Sequence, residues 1–433
     1  MSILASMADL PYIKQVFPNG IKYIFVPQPQ SLATTVLVLV STGSDYEGKE
    51  INGVSHFLEH LCFKGTTKRP APSLISSELD GLGAEYNAFT GNELTGYYAK
   101  AANKHFPKIL DVVSDLYLNP LIPEEEMNKE RGVIIEEINM YEDLPMRKVW
   151  DDLSSLMYGD QPAGRSIAGT KETIKKMTRA DIVAYRNLHY IAPKTTVVVA
   201  GGLGVNPGTI VAEYFANIGS GELIHKVKTT ETQSSPQFFF RDKETDQTHL
   251  VIGIRAFDRF DNRRYAFSLL SDILGGSMSS RLFRKIREEM GAAYYINSSP
   301  ELFSDYGFLS ISSGVDKERF VEIIKAIMGE LKLLKEKLVE EEELNKAKEH
   351  ISGKLALQLE TSDELAGFYG GEESLTGTIR TPEEILEKIK SVTAEDIMNV
   401  AQESIVNEKI NLAAIGSIPD KIKKEAQSIF RLV

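Results

Sequence analysis

A single cysteine, Cys62, stands in 433 residues. That excludes a disulfide framework and fits a reducing compartment, with the thiol read as a small buried apolar group. No window approaches the roughly 18 consecutive apolar residues of a membrane-spanning helix. The first residues, Met1-Ser-Ile-Leu-Ala-Ser-Met-Ala-Asp9, lack the basic start and apolar core of a secretory signal and the arginine-rich pattern of a transit peptide. Basic charge is also short: 49 Lys and Arg face 61 Asp and Glu, a formal net charge of -12. Nucleic acid is therefore not expected as a partner, because phosphate binding needs a concentrated basic surface. Together these absences suggest a cytoplasmic protein with neither nucleic acid nor membrane among its partners.

What is present is an ordinary globular mixture, 42% apolar and 25% charged. The length exceeds what one hydrophobic core usually serves, so two domains are expected. Strand-like runs such as Ile21-Lys-Tyr-Ile-Phe-Val26 and Thr34-Thr-Val-Leu-Val-Leu-Val40 alternate with helical stretches, which indicates an α+β architecture with mixed, mainly antiparallel sheets and helices packed on them. A polar segment over 219–236, containing Thr229-Thr-Glu-Thr-Gln-Ser-Ser-Pro236, reads as a linker between domains at 1–218 and 237–433.

The two sides of that linker look duplicated. Ile174, Met177, Thr178, Asp181, Ile182, Val197 and Gly201 recur 215 positions later as Ile389, Val392, Thr393, Asp396, Ile397, Leu412 and Gly416. Both segments describe a capped helix leading into a strand that ends at glycine.

The chemistry gathers around His56-Phe-Leu-Glu-His60. Asn52 is a good N-cap, Gly65 a good stop, and Val54, Phe57, Leu58 and Leu61 repeat at helical spacing, so 53–63 should form a buried helix. Two histidines four apart lie about 40° from each other around such a helix and point the same way. Glu59 flanks that face, within reach of a water on a metal held there. Two neutral nitrogen ligands, an open position for water and a carboxylate base are the parts a hydrolytic zinc site needs. A third ligand is sought in Lys129-Glu-Arg-Gly-Val-Ile-Ile-Glu-Glu-Ile138. There Met127, Glu130, Ile134, Glu137 and Tyr141 share one stripe, and carboxylates in an apolar stripe need a partner such as a metal. Glu136 points about 100° away and suits a solvated position.

These residues resemble the pitrilysin and insulysin family of metallopeptidases, the inverzincins, whose signature is H-x-x-E-H. The resemblance covers 56–66, continues through Glu85-Tyr-Asn-Ala-Phe-Thr90 and Glu130 to Glu137, and returns at Ser280-Arg-Leu-Phe283 and from Ile286 to Tyr295. It implies His56, His60 and Glu137 as ligands of one Zn²⁺ per chain, Glu59 as the catalytic base, and Glu130 as a carboxylate steadying the site. It also implies that Asn87, Ala88 and Phe89 lie on an edge strand pairing with an extended peptide, a mode that gives affinity with little sequence preference. Arg287 and Tyr294 match the family's Arg and Tyr pair, expected to hold substrate and its tetrahedral intermediate.

The positions 215 after His56, Glu59 and His60 are Ser271, Leu274 and Gly275, so the second half is not expected to hold a metal. The chain resembles the half-length members, similar to mitochondrial processing peptidase subunits and bacterial processing-peptidase-like proteins, which pair two chains to close a clamshell chamber. The expectation is a zinc endopeptidase acting on peptides or unfolded chains as a homodimer, with a heterodimer not excluded by the sequence. The competing readings are a non-catalytic or partner-dependent assembly subunit and a zinc-dependent peptide-binding protein. The second of these has no use for Glu59.

Overall fold

A computed structural model describes residues 11–430; the reading of Met1 to Asp9 as free of a leader lies outside the described residues. The chain forms two compact units, each built on one mixed sheet. The first holds residues up to 138, 166–227 and 356–381, and the second 139–165, 228–355 and 382 onward.

The first sheet contains β1 (Ile13–Val16), β2 (Lys22–Pro27), β3 (Ala33–Val40), β4 (Glu85–Thr90), β5 (Thr95–Ala102) and β6 (Thr195–Gly201), in the order β1-β2-β6-β3-β5-β4. The second contains β7 (Gln237–Arg241), β8 (Thr248–Arg255), β9 (Ala293–Leu302), β10 (Gly307–Val315) and β11 (Ile410–Ile415), in the order β7-β11-β8-β10-β9. Among the described residues, only β2 with β6 and β7 with β11 run parallel. The other neighbours are antiparallel.

Apart from β1, the two orders are the same topology. β7, β8 and β11 start at 237, 248 and 410, each 215 positions after β2, β3 and β6 at 22, 33 and 195. The helices Arg179–His189 and Ala394–Ser404 keep the same offset, and each opens on a Thr and Asp capping box, Thr178 with Asp181 and Thr393 with Asp396. A second offset appears in the run Glu124-Glu-Glu-Met-Asn-Lys129, which recurs as Glu341-Glu-Glu-Leu-Asn-Lys346. These runs open the long helices Glu124–Asp143 and Glu341–Gln358.

The boundaries expected at 218 and 237 separate the two sheets but not all the helices. Helix Pro145–Tyr158 precedes the linker yet belongs to the second unit, and helix Ser362–Thr376 follows it yet belongs to the first. The reason is burial. Every residue of β6 and of β11 is buried, so each sheet must be covered on both faces. In the first unit Ala366 and Tyr369 pack on Leu37, Leu39, Val198 and Ala200. In the second, Val149, Leu153 and Met157 pack on Val251, Ala413 and Ile415. The approach is close: a Cβ on Gly370 would lie 2.7 Å from a Leu39 methyl, and one on Gly253 2.7 Å from the Met157 sulfur, so those side chains would have to shift to admit one.

On the opposite face of the first sheet, Phe57, Leu58 and Leu61 of the helix Val54–Cys62 join a core with Val36, Val38, Tyr97 and Ala99. That burial anchors the helix carrying the candidate site. Among the described residues, no helix is long and apolar enough to cross a membrane.

Candidate metal centre

The helix predicted over 53–63 spans Val54–Cys62, and its start differs from expectation. Asn52 is not the cap. Gly53 takes that place at φ 96°, where a Cβ would lie 2.8 Å from the Ala168 carbonyl oxygen. The helix N-terminus is held instead by Glu47, itself buried. Its carboxylate accepts from the Gly53 N–H at 2.7 Å, the Ser55 N–H at 2.8 Å and Asn52 Nδ2 at 2.9 Å. Burial pushes the Glu47 carboxyl up to about 7, against the pull of those donors. Two of the orphan N–H groups of the first turn thus find an acceptor at the positive end of the helix. His56 lies in that first turn.

One turn apart, His56 and His60 present their Nε2 atoms 3.3 Å from each other. Glu137, from the helix Glu124–Asp143, brings Oε2 to 3.7 Å from His56 Nε2 and 3.6 Å from His60 Nε2. A tetrahedral zinc site with bonds of about 2.0–2.2 Å has neighbouring ligand atoms about 3.3–3.6 Å apart. The three side chains therefore stand at the separations a zinc ion would impose. Among the described residues they are the only His, Cys, Asp or Glu group that converges in this way.

The electrostatics suit a cation. Burial, with His60 alongside, pushes His56 down to about 4 despite Glu137, so its imidazole is neutral at pH 7 and able to ligate. For His60, burial works downward but is outweighed by the hydrogen bond to Glu130 and the charges of Glu59 and Glu137, which raise it.

Glu130 is buried, as a carboxylate with partners should be. Its Oε2 lies 3.1 Å from His60 Nδ1 and its Oε1 2.7 Å from Lys64 Nζ. Burial alone would raise Glu130, but these hydrogen bonds hold it below the usual carboxylate range. An ionised carboxylate only accepts, so Nδ1 carries the proton of this bond, and His60 is oriented with Nε2 toward His56 and Glu137. Glu136 is exposed, as its helical angle predicts.

Glu59 projects beside the ligands. Its Oε2 accepts from Thr90 Oγ1 at 2.5 Å. Burial raises its carboxyl, while Thr90 and His60 pull it down. Thr90 ends β4, which has β5 on one side and an open edge on the other. On β4, Asn87 and Phe89 are exposed and Ala88 is buried. The Asn87 side chain accepts from the Ala88 N–H at 2.9 Å, a local bond that an incoming strand would have to displace or leave in place.

Arg287 and Tyr294 belong to the second unit. Arg287 is exposed in the π-helical turn Phe283–Glu289, its guanidinium 5.0 Å from the Phe283 ring centre. Tyr294 is 69% exposed on β9, an edge strand. Reading the sequence gave no role to Glu47, Lys64 or Thr90. Lys64 at four residues from His60 carries a helical-spacing signal, whereas nothing local marks Glu47 or Thr90.

Residues 24–171 match the insulinase model of peptidase family M16, and 176–351 match the peptidase M16 inactive domain. An uncharacterized zinc protease of Bacillus subtilis, YmxG, is 35% identical over 408 residues, covering 93% of this chain and 98% of the relative. The chain belongs to peptidase family M16. A second relative, an uncharacterized zinc protease of Streptomyces coelicolor, SCO5738, is 32% identical, with 94% of this chain and 90% of the relative covered. In fold, this M16 chain matches the crystal structure of a protease from Helicobacter pylori with a TM-score of 0.86 at 20% identity, covering 94% of this chain and 99% of that one. It also matches a peptidase M16 inactive domain from Pseudomonas fluorescens with a TM-score of 0.87 at 18% identity, covering 95% and 99%. The His56 to Glu137 constellation falls inside the matched insulinase segment, and most of the second unit's sheet inside the inactive-domain segment.

Proposed function

We propose that this chain is a zinc-dependent endopeptidase acting on peptides or unfolded polypeptide segments. The observation that carries the reading is the convergence of His56 Nε2, His60 Nε2 and Glu137 Oε2 at 3.3–3.7 Å beside a half-buried, hydrogen-bonded Glu59. A zinc ion held by those three residues would supply Lewis acidity toward a scissile carbonyl and lower the pKa of a water.

The chain's own residues do the rest. Glu59 takes the proton from the attacking water and returns it to the leaving amine. Its carboxyl, raised by burial, suits both halves of that transfer. Glu130 and Lys64 fix the His60 ring, and Glu47 fixes the turn that carries His56. The open edge of β4 gives an extended peptide backbone donors and acceptors to pair with. In this reading a second copy of the chain completes an enclosed site. Light scattering that gave the active enzyme the mass of one chain, 48.2 kDa, would remove that part.

The test is zinc content together with cleavage of a mixed peptide library, for the wild type and for Glu59→Gln. The wild type should hold about one zinc per chain and cut, and Glu59→Gln should keep the zinc and be inactive. Zinc retained by a wild type that cuts nothing would replace the enzyme with a binding or assembly subunit.

A further inference from the structure

We propose that Thr90 is a positioning residue that fixes the Glu59 carboxylate for proton transfer; this rests on the reading of Glu59 as the base. A glutamate side chain has three rotatable bonds and, unrestrained, samples several rotamers. General-base work requires one of them, because the acceptor oxygen must stay within hydrogen-bond reach of the water it deprotonates. The Thr90 hydroxyl restrains one oxygen, donating to Oε2 at 2.5 Å. Oε1 has no hydrogen-bond partner among the described residues and remains available for the water.

The restraint is useful only if Thr90 is itself fixed, and it is. Thr90 pairs with Thr95 across β4 and β5. The turn that follows is closed by the Gly91 N–H on the Leu94 carbonyl at 2.8 Å. Its Gly91 and Asn92 carbonyls accept from the Ser44 and Asp45 N–H groups at 3.1 and 2.8 Å. Lys226 joins Asp45 at 3.2 Å to Glu93 at 2.7 Å across the same turn. The packing leaves no slack at Gly43, where a Cβ would be 2.2 Å from the Gly91 oxygen.

The consequence goes beyond rigidity. β4 is the strand whose open edge is taken to receive the peptide backbone. One strand then registers the substrate and, through its last hydroxyl, the base. The separation between Glu59 and the bond to be cut is set by a single short structural path rather than by two independent elements.

The test compares the wild type, Thr90→Val, Thr90→Ser, Glu59→Gln and the Glu59→Gln/Thr90→Val double variant for zinc content, kcat and KM on one peptide. Valine keeps the β-branched shape and removes only the hydroxyl, so strand pairing should survive. Thr90→Val is expected to keep its zinc and hold KM within about twofold, while kcat falls about 10- to 100-fold, the scale of a misplaced catalytic group. Thr90→Ser should recover most of the loss. The double variant should be no slower than Glu59→Gln alone, because both act on one step. An inactive Glu59→Gln beside a fully active Thr90→Val would overturn the positioning role alone. A serine variant as slow as the valine one would also overturn it, by tying the effect to shape. Full activity in Glu59→Gln would overturn the base assignment itself, and this proposal with it.

Discussion

The two units carry one sheet topology and opposite chemistry. In the first, the helices Val54–Cys62 and Glu124–Asp143 are bridged by His60 with Glu130 and by the two histidines with Glu137. In the second, the corresponding helices Arg264–Gly275 and Glu341–Gln358 are bridged by His350 Nδ1 to Asp272 Oδ1 at 2.7 Å. Aligning the shared Glu-Glu-Glu-x-Asn-Lys run sets Ala347 and Lys354 where the first unit has Glu130 and Glu137. The helix starts differ as well. Glu47 caps the first, whereas the second has no side-chain cap. The difference between the units therefore resides in a handful of side chains on a shared scaffold, and the fold alone does not predict it.

Substitutions that treat the two units alike can break this comparison. The largest contrast is expected for His56→Ala against His350→Ala. The first should abolish stoichiometric zinc and all cleavage, the second should leave the zinc content unchanged, and elemental analysis of purified protein decides. Next, Glu130→Gln should weaken zinc binding about 10- to 100-fold, the usual effect of losing a carboxylate behind a ligating histidine. Competition with a zinc-sensitive dye measures it, and an unchanged affinity would mean that Glu130 serves only Lys64.

Smaller effects concern stability. Glu47→Ala strands two backbone N–H groups in a buried site and should cost about 2–4 kcal/mol by denaturant titration. Of the glycines on helix Ser362–Thr376, Gly370→Val should be destabilising by about 1–3 kcal/mol through overpacking. Gly367→Ala, exposed and with open space at its Cβ, should instead stabilise by up to about 1 kcal/mol. Equal melting shifts for the two would contradict the packing of that helix on the first sheet.

The smallest effect is at Cys62, whose thiol burial pushes up to about 11. At pH 8 a thiol reagent should modify it only after unfolding. Because the folded value exceeds the unfolded one, the associated stability is complete below about 9 and is lost as pH rises through about 11. Rapid labelling of the native protein would show the site to be open.

Much of this was legible in advance, for a physical reason. The mutual approach of His56, Glu59 and His60 follows from helical period alone, as does the separation of Glu136 from Glu137, so spans of five residues or fewer decided them. The duplication was visible where no insertion disturbed the 215-residue offset. It was missed at Glu124 to Lys129, where the offset is 217. The Asn52 cap failed because a buried carboxylate five residues upstream competes for the same donors. No local rule detects that competitor.

By itself, then, the sequence determined which half holds the candidate ligands, the face of the helix that His56 and His60 share, and the strand and helix types around them, all consequences of short-range periodicity. Tertiary structure alone decided that Glu137 meets the two histidines, that Thr90 reaches Glu59, that Glu47 caps the motif helix, and that each sheet is covered by a helix from the other half of the chain. Those contacts depend on the chain's return over tens to hundreds of residues, which is set by how two doubly buried sheets find cover and not by the identity of any neighbour in sequence.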